Sequence, residues 1–216
     1  QQYPNTSVLL SDMVSFTSYS STVSADKVVD MLNAQFSMFD ALTAHYCLEK
    51  VKTIGDAYFV ISYQHANNEE RIVKMGMSMH IALMNLNTAN NWNFSLRIGC
   101  ATGQATLTIM GSSSNVITFD CFGPAVKRAQ LMESTAKLQT VHICETTAKA
   151  IQAYFEMTEA ETIQDELLGS EKTYMVKQYK KRLSIDALPQ MITVSEETKR
   201  TSLKRGSTSS VNSVNS

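Results

Sequence analysis

The feature that most restricts the fold is a pair of β-rich segments, residues 48–54 and 57–63, with only Gly55 and Asp56 between them. Two residues is the length of a tight β-hairpin loop, and glycine adopts the positive φ that such a turn needs. Residues 25–45 precede the hairpin with apolar side chains three and four positions apart, which predicts an amphipathic helix. The hairpin would then present Asp56 on an exposed tip.

The other segments extend this order to strand, helix, two strands, helix, two strands. Residues 7–10 are an apolar run that ends near Asp12 and predicts a buried strand, followed by a Ser- and Thr-rich loop. The later predicted elements are a helix at 69–86, a pair of strands at 94–101 and 105–110 around Thr102 and Gly103, a strand at 116–121, a helix at 123–132, a strand at 140–144, a helix at 145–155, and strands at 157–167 and 172–177. They predict an α+β sandwich with a ferredoxin-like βαββαβ core, extra C-terminal strands and helices, and helices on one side of a mostly antiparallel sheet.

The net charge of the chain argues against two classes of binding partner. Lys and Arg number 19 against 20 Asp and Glu, so a net charge of −1 provides no strong field for nucleic acid or an anionic membrane. The apolar runs are too short to cross a bilayer, and the opening Gln-Gln-Tyr-Pro lacks an export signal and is typical of an internal piece of a longer polypeptide. We therefore expect a cytoplasmic domain, and any attachment to a membrane would come through upstream regions of a larger protein. The four cysteines lack metal-ligand spacing and are expected to be reduced, buried thiols.

The last part of the chain differs in composition from the rest. Aromatic residues and glycines nearly vanish after about residue 179, which predicts a domain at 1–178 and a flexible, basic, Ser/Thr-rich tail at 179–216. Lys-Arg-x-Ser occurs three times there, ending at Ser184, Ser202 and Ser207. The tail is either simply solubilising or a substrate for a basic-directed kinase that would add about −2 charge per site.

Two aspartates and the loop after the first one are the candidate functional residues. Asp12 at a strand end and Asp56 on a hairpin tip would form a hard-oxygen site for Mg²⁺ if their strands are neighbours, although either is also an ordinary turn residue. The backbone N–H groups of the following loop would cradle phosphate ahead of a helix. That loop consists of Met13, Val14, Ser15, Phe16 and Thr17.

Four motifs carry a family resemblance. They are Leu-Leu-Ser-Asp-Met-Val-Ser-Phe-Thr at 9–17, Glu-Lys-Val-Lys-Thr-Ile-Gly-Asp-Ala-Tyr at 49–58, Leu-Arg-Ile-Gly at 96–99 with Thr102-Gly103, and Phe-Asp-Cys-Phe-Gly at 119–123 followed by Met-Glu-Ser at 132–134. In this order and spacing they resemble the class III adenylyl and guanylyl cyclase catalytic domain over about residues 7–176, roughly four-fifths of the chain. The resemblance implies the nucleotide cyclase fold.

The resemblance also implies a reaction and a metal site. In that family two domains dimerise head to tail, and the ribose 3′-OH of ATP or GTP attacks the α-phosphate while pyrophosphate leaves. Asp12 and Asp56 match the two residues that bind two Mg²⁺ (or Mn²⁺), with Met13 beside them, and Arg97 matches a phosphate-contacting arginine. One metal would lower the pKa of the 3′-OH and the other would stabilise charge on the phosphates.

The complementary half of the site is incomplete by the same comparison. Lys52 and Asp120 match the adenine-reading pair and, with Ile54, would line a degenerate second pocket. Without the resemblance, Lys52 is interpreted as a solvated strand residue and Asp120 as a helix cap. Lys127 replaces the family's asparagine, Leu131 replaces the transition-state arginine, and the family's basic loop before Thr-Tyr is lacking at 167–174.

Those replacements predict one member of an asymmetric pair. The productive form would be a heterodimer with a complementary cyclase domain, and a homodimer would be weakly active. The partner's residues would select the purine, with ATP favoured by the pair present here. The alternatives are a guanylyl cyclase subunit whose partner selects GTP, and an inert cyclase-like regulatory or dimerisation module.

Overall fold

A computed structural model describes residues 1–111 and 117–180 of the 216-residue chain. The elements in chain order are β1 (Gln2–Met13), α1 (Phe16–Ser20), α2 (Ala25–His45), β2 (Glu49–Ile54), β3 (Ala57–Ser62), α3 (Asn68–Asn90), β4 (Leu96–Met110), β5 (Thr118–Phe122), α4 (Pro124–Ser134), β6 (Val141–Cys144), α5 (Glu145–Ile151), β7 (Phe155–Glu159), β8 (Ile163–Asp165), β9 (Gly169–Glu171) and β10 (Thr173–Tyr179). The α+β architecture and the βαββαβ order of the first half are confirmed.

One large sheet organises these elements. Its strand order is β2-β3-β1-β4-β6-β10-β7, with β5 paired to β4, while β8 and β9 form a separate ribbon. The pairs are antiparallel except β4 with β6, which run parallel. The central β1 and β4 lie side by side, so a residue near the end of β1 faces one near the start of β4.

Helices cover both faces of the sheet, which corrects the prediction that they lie on one side. The α3 residue Gly76 lies against Leu9 and Ile98, whereas the α4 backbone lies against Gly99. Neighbouring residues of a strand point to opposite faces, so α3 and α4 are on opposite sides. The helices α2 and α5 share the α3 face; for example, Thr147 of α5 donates a hydrogen bond to Thr102.

A close approach of α4 to β4 depends on Gly99. A Cβ atom at this position would lie 2.1 Å from the backbone nitrogen of Glu133 and 2.4 Å from the carbonyl oxygen of Ala129. Ala125, Ala129 and Met132 fill the remaining contact and are buried with apolar residues of β1, β3 and β4. Residues at the C-terminal end of α4 are thereby held directly over the sheet.

Three local predictions differ from the structure. The expected turn at Thr102-Gly103 does not form; β4 is one strand of 15 residues, because β1 pairs along it on both sides of this point. The segment 157–167 is divided between β7 and β8, and the helix expected at 145–155 ends at Ile151. The Ser/Thr-rich loop after β1 contains the short helix α1.

The two-residue hairpin is confirmed, with Gly55 at φ 61° between β2 and β3. Asp56 is partly buried and not exposed as predicted, because its carboxylate turns in to accept from the N–H of Met13. All four cysteines are free thiols, but only three are buried: Cys47 is exposed, contrary to expectation. None of the helices in 1–111 and 117–180 has the length and apolarity of a membrane span. The predicted tail sites Ser184, Ser202 and Ser207 lie outside the described residues.

Candidate active site

Asp12 and Arg97 lie directly opposite each other where β1 ends and β4 begins. By strand alternation both side chains point to the face covered by α4. Nη2 of Arg97 donates a hydrogen bond of 2.5 Å to Oδ2 of Asp12. The strand pairing itself, and not a flexible loop, therefore fixes the relative position of these two residues.

Asp56 reaches the same place from the β2–β3 hairpin. Its Oδ2 accepts a hydrogen bond of 3.0 Å from the backbone N–H of Met13, the residue that follows Asp12. Since β3 pairs with β1 over residues that include Leu10 and Ser11, the tip of the hairpin is carried to the end of β1. The structure thus brings together the carboxylate of Asp56 and the residue next to Asp12, 43 positions away in the sequence.

The electrostatics of the pair suit a cation. Burial raises the pKa of Asp56, and the charge of Asp12 raises it further, against the lowering effect of the backbone N–H groups of Met13 and of Asp56 itself. Two carboxylates this close repel each other when both are ionised, and a divalent cation relieves that repulsion. No cluster of three or more His, Cys, Asp or Glu with metal-binding geometry occurs among the described residues. Magnesium commonly takes one or two carboxylates and completes its shell with water and substrate phosphates, so the pair fits it.

Glu133 of α4 is a residue of this site that was not predicted from the sequence. Its Oε1 lies 3.0 Å from Nε of Arg97 as an ion pair without hydrogen-bond geometry. Burial raises the pKa of Glu133, with Arg97 acting in the opposite direction and the charges of Asp12 and Asp56 adding to the increase. The only signal in the sequence was its place in the Met-Glu-Ser motif, because the contact depends on the approach of α4 at Gly99.

The loop after Asp12 offers fewer free N–H groups than expected. The N–H of Met13 donates to Asp56, and that of Val14 donates to the carbonyl oxygen of Ser95 at 2.9 Å. Ser15 has φ 67° and precedes α1 without a side-chain cap. The N–H groups at the start of a helix have no acceptor within it, so those of Phe16 and Thr17 have no acceptor within α1.

The predicted purine-reading residues form a second group on β2 and β5. Nζ of Lys52 lies 2.5 Å from Oδ2 of Asp120, whose Oδ1 accepts from the N–H of Cys121 at 2.9 Å. The Asp120 side chain is nearly buried and that of Lys52 is 40% exposed. Ile54 is exposed at the end of β2. The structure therefore brings Lys52 and Asp120 together as an ion pair.

The helix α4 holds the two replaced positions. Lys127 is exposed, and Leu131 packs on the buried apolar residues of β1, β3 and β4 beneath α4. The neighbouring Arg128 is directed elsewhere, with Nε 3.1 Å from Oε2 of the buried Glu171. Within the described residues of α4, the one guanidinium group is thus committed to an ion pair and does not substitute for an arginine at 131.

The fold has counterparts among known proteins. Residues 1–178 match the family model described as the adenylate and guanylate cyclase catalytic domain. The chain belongs to this family. The resemblance seen in the four sequence motifs is thereby confirmed.

Individual relatives give the same family. A membrane guanylyl cyclase of Dictyostelium discoideum is 28% identical over 71% of this chain and 10% of its own length, and adenylate cyclase type 9 of Gallus gallus is 30% identical over 82% of this chain and 14% of its own length. The guanylate cyclase domain of RhGC from Catenaria anguillulae, solved in complex with GTP, superposes with a TM-score of 0.78 at 27% identity, covering 83% of this chain and 100% of that one. The chain thus spans only a small part of the length of those two curated relatives.

Proposed function

We propose that this domain forms a 3′,5′-cyclic nucleotide and pyrophosphate from ATP or GTP, and that it contributes the metal-binding half of an active site shared with a second domain. The observation that carries the proposal is the convergence of Asp12 and Asp56 at the end of β1. Family membership supports it, since the similar proteins include both adenylate and guanylate cyclases.

The carboxylates of Asp12 and Asp56 would hold two Mg²⁺ or Mn²⁺, with the backbone of Met13 beside them. When bound, these ions would lower the pKa of the ribose 3′-OH and neutralise phosphate charge. Asp56 must lose its proton to act as a ligand, and its raised pKa makes that loss occur at a higher pH than for an ordinary aspartate. Arg97 is charged and adjacent to Asp12, so it is placed to pair with phosphate once its bond to Asp12 opens.

The loop after β1 contributes positioning. The N–H groups of Phe16 and Thr17 at the start of α1, which follows Ser15 with its positive φ, would donate to the phosphates. Positioning and charge neutralisation supply most of the rate enhancement in phosphoryl transfer. These residues would therefore hold the triphosphate in line while the 3′-OH approaches the α-phosphate.

The replacements at Lys127 and Leu131 support a heterodimer. An aliphatic side chain donates no hydrogen bond to the charge that develops in the transition state, and loss of one such donor costs about 10²- to 10³-fold in rate. A homodimer would bind nucleotide but turn over slowly. A complementary cyclase domain that carries the arginine and the purine-reading residues would complete the site and select ATP or GTP. The Lys52–Asp120 pair of this chain is of the adenine-reading type, and it therefore favours ATP as the substrate.

The same two replacements favour a second candidate function, an inert cyclase-like module that holds nucleotide or dimerises. Retention of both aspartates argues against it, because a module without turnover has no need of metal ligands. The relatives that match are several times longer than this chain. We therefore also propose that the domain works within a longer protein, which would include any membrane attachment.

One experiment separates the two candidates. The purified domain is mixed with a complementary cyclase domain whose own metal aspartates have been replaced, in Mg²⁺ or Mn²⁺ with ATP or GTP, and cyclic nucleotide is measured. Product with the wild-type domain, lost in Asp12→Ala and in Asp56→Ala but kept in Asp26→Ala, a surface aspartate of α2, supports the enzyme. If several such partners form dimers with the chain and none yields product, the inert module is correct.

A further inference from the structure

A cavity of about 600 Å³ lies beside the C-terminal half of α3. Its walls are α3, the loop at residues 91–95 between α3 and β4 (the α3–β4 loop), the first residue of β4 and Gln139. Leu96 shares the sheet face of Ile98, which α3 covers, so the cavity is across the sheet from the side chains of Asp12 and Arg97. It is a cleft that is open to solvent on one side, and its volume is in the range of small-molecule sites.

The wall of the cavity is uncharged. None of the described residues that line it is Asp, Glu, Lys or Arg. Its one titratable side chain, His80, is mostly buried, Nε2 lies 3.0 Å from the carbonyl oxygen of Thr140, and burial lowers the pKa of the ring. A charged ligand would therefore lose part of its water without gaining a counter-ion, which is unfavourable.

The wall also offers a ring and apolar surface. Trp92, the single tryptophan of the chain, lines the cavity, and its ring centroid is 5.8 Å from that of Phe94. Ile81 and Met84 of α3 line it as well and remain 39% and 59% exposed. Asn91 and Asn93 add amide groups. This combination favours a flat ring that bears neutral hydrogen-bonding groups.

The cavity is formed in advance, because Asn87 braces the α3–β4 loop. Its Nδ2 donates to the carbonyl oxygen of Phe94 at 2.7 Å, its Oδ1 accepts from the N–H of Phe94 at 3.1 Å, and its own carbonyl accepts from the N–H of Trp92 at 2.9 Å. A ligand would not have to order this loop, which removes one cost of binding.

The same loop contacts the segment that follows Asp12. The carbonyl oxygen of Ser95 accepts the hydrogen bond from Val14 at 2.9 Å. The ring of Phe94 packs edge-on against Tyr19 of α1 at 4.9 Å between centroids. A change in the α3–β4 loop is thus transmitted by direct contact to the phosphate-side loop and helix.

We propose that this cavity is a second binding site, that it takes an uncharged, ring-containing small molecule, and that its occupant stabilises the segment at residues 13–20 through Ser95 and Phe94. The site is separate from the nucleotide site. The proposal is independent of whether the chain turns nucleotide over.

Binding is tested on the whole chain through Trp92 fluorescence with benzamide, benzoate and benzylamine, which share a ring and differ in charge. Small ligands of this size reach dissociation constants on the order of millimolar. Benzamide is expected to saturate the fluorescence change at millimolar concentration, and each charged analogue is expected to bind at least about tenfold more weakly. No saturable response to benzamide up to its solubility limit, or equal binding of benzoate, overturns the proposal.

Two surface variants locate the binding. Met84→Glu, which introduces a charge at the exposed wall, is expected to weaken benzamide several-fold and strengthen benzylamine. Val29→Glu places the same charge at an exposed position of α2 outside the cavity and is the matched control. Identical behaviour of the two variants would place the binding elsewhere on the protein.

The link to the active-site segment is measured by backbone hydrogen exchange in the wild-type chain. With benzamide bound, peptides that cover residues 13–20 are expected to exchange several-fold more slowly, while those that cover α2 are unchanged. Bound benzamide without protection at 13–20 overturns the link. Because no turnover is measured, this result does not depend on the fate of the cyclase proposal.

Discussion

The guanidinium of Arg97 donates a 2.5 Å hydrogen bond to Asp12, the residue directly opposite it across the β1–β4 pair. Nε of the same group lies 3.0 Å from Oε1 of Glu133 as an ion pair. Arg97 is therefore shared between a proposed metal ligand and a carboxylate of α4, and Glu133 helps decide how firmly Arg97 holds Asp12.

Replacing Glu133 by glutamine tests this sharing. Glu133→Gln removes a negative charge near the carboxylate pair and leaves Asp12 as the only anionic partner of Arg97 in the pairing described. We expect Mn²⁺ affinity to fall about three- to tenfold, as for the loss of one charge at a few ångströms in a partly solvated site. Calorimetric titration of the isolated domain measures it. Glu145→Gln, on α5 across the sheet, is the control, and equal affinities in all three proteins would contradict the sharing.

Replacing Asp56 by asparagine tests the electrostatic repulsion between the carboxylates of Asp12 and Asp56. The amide oxygen introduced by Asp56→Asn can still accept from the N–H of Met13, so the main loss is the repelling charge. Without metal, we expect the variant to be more stable than the wild type by on the order of 1 kcal/mol at neutral pH. With Mg²⁺ present, only the wild type should gain stability as the ion is added.

The pH dependence of that difference has a fixed sign. A carboxyl whose folded pKa is raised binds its proton more tightly in the native state, so wild-type stability falls as pH rises from the unfolded pKa through the folded one. The gap between Asp56→Asn and the wild type should be near zero in acid and widen toward neutral pH. Denaturant unfolding at several pH values measures it, and a gap that narrows as pH rises contradicts the burial and repulsion assigned to Asp56.

The approach of α4 to the sheet is tested at Gly99. An alanine Cβ would overlap the backbone of α4, so we expect Gly99→Ala to cost about 3 kcal/mol of unfolding free energy and to disturb the Arg97–Glu133 pair. Gly103→Ala on the same strand is the control, because its nearest neighbour, Nη1 of Arg128, is 3.6 Å away. Chemical denaturation of both variants provides the comparison. Similar stabilities would mean that α4 is not held as closely as described.

The paired Lys52 and Asp120 give a prediction about substrate choice. If the partner reads the purine, Lys52→Gln with Asp120→Asn leaves the ratio of ATP to GTP turnover in the heterodimer unchanged within about twofold, because both groups already bond to each other. The ratio of ATP to GTP turnover is also measured after substitution of the purine-reading residues of the partner, and these substitutions are expected to change it strongly. A marked shift caused by the first pair of substitutions would assign purine reading to this chain.

Local signals in the sequence determined the elements whose predicted bounds agree best with the structure. The helix α2 has the predicted bounds of 25–45, and the hairpin at Gly55-Asp56 has the predicted turn, because periodicity and turn chemistry lie within a few residues. Thr102-Gly103 has the local appearance of a turn, yet β1 pairs with β4 across it, and Ser7 and Thr102 share a 2.8 Å hydrogen bond. Long-range pairing overrides the local signal there.

Long-range contacts also decided which residues of the site were missing from the prediction. Asp12, Asp56 and Arg97 were found from motifs and lie together, whereas Glu133 and the commitment of the Val14 N–H to Ser95 were not predicted. Both depend on which face of the sheet a helix or loop packs against. Helical periodicity gives the apolar side of α4 but not the face of the sheet that receives it.

The most direct test of the asymmetric site is turnover by this chain alone before and after its two replaced positions are restored. The wild-type homodimer should form almost no cyclic nucleotide, and Lys127→Asn with Leu131→Arg should raise the rate by about 10²-fold, the typical worth of a transition-state donor. Adding Asp12→Asn to that variant should abolish the gain. Full turnover by the unmodified chain without a partner, or a gain that survives loss of Asp12, would contradict the account.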